Sequence, residues 1–156
     1  MHNRVLEAGR PSRGARRILV AVLVALPAIA TALTVTSTQE ISFGAIVVGP
    51  AGGTVTVTYL GSRSCSVDVT CLPQSPAYPA RFTVSGDPFM SFGISLPVSA
   101  TLSDGAGNSM LIDGFEDSLG GTGTLGSAGQ ANFAVGAALH VEPGQAASSY
   151  SGSFNV

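Results

Sequence analysis

Lysine and tryptophan are missing from this chain of 156 residues, and histidine and cysteine occur only twice each. Each shortage closes off a class of chemistry. Without lysine there is no Schiff-base nucleophile and no phosphate-loop cation. Histidines at positions 2 and 140 alone cannot form the clusters that hold zinc. Only 10% of the residues are charged, which leaves no basic stripe for a nucleic-acid backbone. No apolar run reaches the ~20 residues that cross a bilayer as a helix. Beyond residue 32, no segment keeps helical spacing through successive turns.

The first 32 residues differ from the rest. Arg10, Arg13, Arg16 and Arg17 precede an apolar run over residues 18–30, ILVAVLVALPAIA. Small residues follow at Ala28, Ala30 and Ala32. A basic region, a short apolar core and small residues at the exit make a secretory signal peptide, with cleavage expected after Ala32. The alternative, a retained membrane anchor, needs a longer run than this one, which Pro27 interrupts. The reading therefore divides the chain into a leader, 1–32, and one domain, 33–156. It places the protein outside the cytoplasm, in the periplasm, on the cell surface or beyond, with contact to a membrane only through the leader.

Removing the leader leaves two cations, Arg63 and Arg81, against Glu40, Asp68, Asp87, Asp104, Asp113, Glu116, Asp117 and Glu142. Two minus eight is −6. Such a surface repels phosphate backbones, so nucleic acid is not expected as a partner. Cys65 and Cys71 are expected to oxidise to a disulfide in an exported protein. A two-thiol metal site is the alternative, but it has no histidine nearby.

What remains is strand pattern. In residues 41–58, ISFGAIVVGPAGGTVTVT, two β-branched apolar runs flank a Pro/Gly turn. Val55 and Val57 point one way, and Thr54, Thr56 and Thr58 the other. The same alternation returns at Phe82 and Val84, at Phe92, Ile94 and Leu96, at Phe133, Val135, Leu139 and Val141, and at Tyr150, Gly152, Phe154 and Val156. Gly136 falls inside the fifth run and suggests a bulge. Three prolines make residues 72–79 a loop. Residues 113–129 are rich in glycine and acids, and read as a second, looser loop. Leu33, Val35, Ile41 and Phe43 share one parity, an edge strand or an extended arm. Short strands divided by Gly/Pro turns predict an all-β fold, a sandwich or a barrel.

Six landmarks occur in order: FG-x-I-V-x-G from Phe43, GGTVTV from Gly52, F-x-V-x-G from Phe82, I-S-L-P from Ile94, F-A-V-G-x-x-L-x-V from Phe133, and Y-S-G-S-F-x-V from Tyr150. Together they resemble the secreted bacterial family known as domain of unknown function 4402, which is similar in design to chaperone–usher pilins and spore-coat-U-type proteins. The resemblance implies an immunoglobulin-like β-sandwich, exported and non-enzymatic, serving as a fimbrial or surface-coat subunit. It implies copies of itself, related subunits or a periplasmic chaperone as partners. Cys65 and Cys71 are an addition to the family pattern.

No catalytic, cofactor-binding or metal-binding residues are expected. His140 alternates with Leu139 and Val141 and reads as a solvent-facing strand residue. Asp113, Glu116 and Asp117 match no calcium-loop spacing and read as surface acids. Residues 104–108, DGAGN, read as a turn. Two functions from different classes follow. In the first, an arm carrying Leu33, Val35, Ile41 and Phe43 completes the sheet of a neighbouring subunit, or of its own. In the second, the loops at 72–79 and 113–129 make a binding module for a glycan or a protein, with Tyr78 and Phe115 as its aromatic candidates.

Overall fold

The computed structural model describes residues 32–66 and 68–156. The leader expected over residues 1–32 lies outside them but for Ala32, and Val67 lies outside them as well. Eleven strands form among the described residues: β1 (Thr34–Gln39), β2 (Ile46–Val48), β3 (Gly53–Val57), β4 (Arg63–Cys65), β5 (Val69–Cys71), β6 (Ala80–Ser85), β7 (Ser91–Gly93), β8 (Ser99–Ser103), β9 (Ser109–Asp117), β10 (Thr122–Thr124) and β11 (Gln130–Val141). Every ladder among them is antiparallel. The fold is all-β, as the alternating pattern predicts, and it is the antiparallel, immunoglobulin-like sandwich that the resemblance implies.

The strand order β1-β6-β11-β3-β4 defines the main sheet, with β9 beside β11 and β8 beside β9. β11 organises it. Residues 130–135 pair with β6, residues 137–141 pair with β3, and β9 runs beside residues 135–140. Besides being paired at its edges, β11 is covered on both faces, buried without a break from Phe133 to Ala137. A half-exposed strand alternates; one covered on both faces does not, and small residues at Ala134, Gly136 and Ala137 let the cover approach. Gly136 shows why most sharply. A Cβ there would lie 2.5 Å from both Tyr59 N and Val57 O. The chain leaving β3 passes directly against it, and the β9 register breaks between Gly136 and Ala138.

Two apolar clusters fill the sandwich. Val55, Val57, Ile112, Leu139 and Val141 belong to one, Val84, Leu125, Phe133 and Val135 to the other. Ile41 and Phe115 pack against both. Two small sheets close the clusters. β2 pairs with β5 beside the first, and β7 pairs with β10 beside the second. Phe92 lies across from Gly123, where a Cβ would come within 2.9 Å of three ring carbons, so the phenyl ring takes the space of the missing side chain. The Cys65–Cys71 disulfide joins β4 of the main sheet to β5 of a small one, with Cα atoms 6.0 Å apart.

Two segments differ from their sequence pattern. Residues 113–129 are not a loose loop. β9 continues to Asp117, β10 follows, and the turn between them is capped by the Asp117 carboxylate, which accepts from Leu119 N at 2.8 Å and Gly121 N at 3.0 Å. Conversely, the C-terminal alternation from Tyr150 does not become a strand. It makes a single bridge, Ser151 to Ser103. At Gly152 a Cβ would be 3.0 Å from Leu102 Cδ2. The backbone lies close against β8 there, paired only through the two Ser103–Ser151 hydrogen bonds. Phe154 then holds the segment down, 4.8 Å from the ring of Phe115 and edge-on to Phe82.

Candidate functional site

β1 is one of the edge strands of the main sheet, and it buries little. TVTSTQ is exposed at five positions out of six. Its attachment to β6 is a backbone ladder, Thr34 opposite Ser85, Val35 opposite Val84, Thr36 opposite Thr83 and Ser37 opposite Phe82, with a register shift before Gln39. Three side chains add bonds to β6 or the residue before it. Thr34 Oγ1 donates to Ser85 O at 3.3 Å, Thr38 Oγ1 to Arg81 O at 3.1 Å, and Gln39 Nε2 to Pro79 O at 2.9 Å. No side chain of β1 is buried.

The four arm residues divide into two pairs. Leu33 and Val35 remain 37% and 47% exposed. Ile41 packs against both clusters, and Phe43 is a 7%-exposed member of the first. A bridge between Ser42 and Tyr78, with 2.8 Å bonds in both directions, fixes the chain between Ile41 and Phe43. The arm is therefore an exposed strand held by its ladder over residues 34–39, followed after Glu40 by Ile41 and Phe43, which the core retains. A groove of about 520 Å³ opens at the anchored end of β1, bordered by Thr38, Tyr59, Leu60, Arg81, Asn132 and Phe133.

The other expected sites are placed as follows. His140 Nε2 lies 2.7 Å from Asp113 Oδ1, diagonally across the β11–β9 ladder, with both side chains about two-fifths exposed. This is a surface cross-strand pair. Asp113 and Asp117 are thus separately engaged, one by His140 and the other by its turn. The Asp104 carboxylate accepts from Ala106 N, Asn108 N and Asn108 Nδ2, so residues 104–108 are a carboxylate-closed turn. The side-chain amide of Asn108, followed by the amide of Ala106, holds the Asp104 carboxyl below its ordinary value of 3.8. Tyr78 is exposed on its loop, whereas Phe115 lies inside β9 against Phe154. The two aromatics do not form a common platform.

Sequence reasoning missed Phe89. Its φ is +63°, and it is the only non-glycine residue with positive φ among the described residues. The signal was present in Asp87-Pro88-Phe89-Met90: proline suits the second position of a turn whose third position normally takes glycine.

Comparison with known proteins gives one match. A family model described as "Domain of unknown function (DUF4402)" covers residues 33–156. No curated protein and no solved structure matches.

Proposed function

The chain belongs to the family of domain of unknown function 4402, and we propose that it is an exported, non-enzymatic structural subunit of a surface filament or coat, assembled through exchange of its N-terminal strand. One observation carries this reading: six residues are ordered along the sheet edge without burying a side chain. Ordering a backbone costs about 1–2 kcal/mol per residue. Stability alone gives little reason for such a strand. An edge strand held by its ladder is, however, the element that moves between subunits in strand addition and domain swapping. The break sits where exchange needs it, at the register shift before Gln39, with Ile41 and Phe43 anchored behind it.

Export agrees with the disulfide, which is stable in oxidising compartments. The family resemblance points to the same class of protein. Size-exclusion chromatography of the exported protein, with and without residues 33–40, tests the proposal. Oligomers from the intact chain and a folded monomer from the shortened one are expected. Stable monomers from both would refute strand exchange.

A further inference from the structure

Beyond residue 32 the chain has two cations, Arg63 and Arg81, against eight acids. The fold uses them differently. The Arg63 guanidinium is engaged by three backbone carbonyls, those of Phe43, Leu72 and Ser75. The Arg81 guanidinium has no hydrogen bond or ion pair among the described residues. Strand parity sets where it points. Phe82 and Val84 of β6 turn into the second cluster, as do Phe133 and Val135 of β11. Arg81 lies opposite Ala134, and Thr83 opposite Asn132, so these four belong to the other face of the sheet. Arg81 and Asn132 both line the groove of about 520 Å³, which Tyr59 and Leu60 border where the chain leaves β3.

The free hydrogen-bonding groups of this groove are one-sided. Thr83 Oγ1 donates to Asn132 Oδ1 at 2.7 Å. That contact orients the amide and leaves the two Nδ2 hydrogens without a partner among the described residues. The Tyr59 hydroxyl is also unpartnered among them. Ser118 Oγ accepts from Ala134 N at 3.0 Å and keeps its own hydrogen to give. No acid lines the groove. It therefore offers a guanidinium, an amide N–H pair and hydroxyl hydrogens, a set that suits an anion rich in acceptor oxygens.

Charge and size narrow the class. A single guanidinium balances a single charge, and its planar fork matches a carboxylate in bidentate form. The acidic surface around it repels a phosphate dianion twice as strongly as a carboxylate. The volume is that of a small-molecule site, and the donors beside Arg81 call for hydroxyl oxygens on the same ligand. We propose that the groove binds a carboxylate-bearing sugar, the uronic acid unit of an acidic polysaccharide. Its carboxylate meets Arg81 and the Asn132 amide, and its hydroxyl groups meet Tyr59 and Ser118. The site uses neither Tyr78 nor Phe115. It is also independent of strand exchange: of its lining, Thr38 alone comes from the arm, and an arm supplied by a neighbour brings the same residue.

An NMR titration of the isotope-labelled exported protein tests the site. The probes are galacturonate, galactose as its uncharged counterpart, and acetate as the bare carboxylate. Galacturonate should shift the side-chain N–H signals of Arg81 and Asn132, and should bind about tenfold more tightly than either control. Arg81→Gln should lose about tenfold in galacturonate affinity at an unchanged unfolding temperature. Asn132→Asp keeps the oxygen that accepts from Thr83 and sets a like charge beside the ligand, so it should lose at least as much, and it carries the test if Arg81→Gln does not fold. Galactose or acetate binding as tightly as galacturonate would overturn the inference. So would a titration that leaves Arg81 and Asn132 unmoved, or a glutamate-rich peptide that binds more tightly than the sugar. Arg81→Gln should not alter the chromatography that scores strand exchange, so the two ideas fail independently.

Discussion

Arg63 Nη1 donates to the carbonyl oxygen of Phe43 at 3.1 Å, and the same guanidinium reaches Ser75 O at 2.9 Å and Leu72 O at 2.8 Å. One of the two arginines of the domain thus acts as a backbone clamp. It fixes the anchor of the arm and the proline-rich loop together. Such a role needs a planar donor fork, which only arginine provides.

Replacing Arg63 by methionine keeps the apolar stem and removes the donors. Three partly buried carbonyl groups then lose a charged partner. We expect a loss of about 2–3 kcal/mol, measured by urea denaturation. The same variant should loosen residues 72–76, read as faster amide exchange at Ser75. Arg63→Lys should recover only part of the loss.

The disulfide predicts a modest effect of reduction. Cys65 and Cys71 close a loop with a separation of 6, and short loops restrict the unfolded chain little. Reduction, or Cys65→Ala with Cys71→Ala, should remove about 2 kcal/mol without unfolding the domain at room temperature. Circular dichroism of the reduced protein measures this. Complete unfolding on reduction would mean that β2 and β5 depend on the bond far more than their own ladder suggests.

Gly136→Ala should be the most damaging single-methyl addition in β11. The added Cβ meets backbone atoms at Tyr59 N and Val57 O, which cannot rotate away as a side chain can. A loss of about 2 kcal/mol or more is expected. Gly120→Ala is the useful contrast. A Cβ there meets nothing within 4 Å, and its φ of +69° alone disfavours alanine. It should lose only about 1 kcal/mol.

Asp104 supplies a pH-dependent prediction with a definite sign. Its hydrogen bonds from Asn108 and Ala106 lower its carboxyl value in the folded state. Whatever the turn gains from them is present above the ordinary value of 3.8 and is lost as pH falls through the lower folded midpoint. The carboxyl resonance should titrate below 3.8 by NMR, and Asn108→Ala should move it back up. The group is fully exposed, so the effect belongs to the turn and not to global stability.

The strand architecture was legible because alternation is a local signal. Val55, Val57, Phe133 and Leu139 each show their inward face within a few residues, and two cysteines in a chain whose leader predicts export foreshadow their bond. Other features depend on partners distant in sequence. Residues 113–129 look loose because their apolar residues are sparse. Their order comes from β11 and β7 and from the Asp117 cap. The C-terminal run alternates convincingly, yet its backbone pairs with β8 only at the Ser103–Ser151 bridge. At the arm, parity grouped Leu33, Val35, Ile41 and Phe43 as equals. Only the packed structure separates the first pair, open at the sheet edge, from the second, held by the core. Phe89 was passed over because it sits in a turn, where hydrophobic periodicity says nothing.

Strand exchange is the claim on which the assembly account turns. Thr36 and Thr83 face each other in the β1–β6 ladder, so single cysteines at these positions report where the strand goes. The decisive measurement mixes the Thr36→Cys chain with the Thr83→Cys chain, allows oxidation, and resolves the products without reducing agent. Exchange predicts a covalent heterodimer, absent when residues 33–35 are deleted from the Thr36→Cys chain. A mixture that stays monomeric, while the double variant closes the bond within its own chain, would contradict the account.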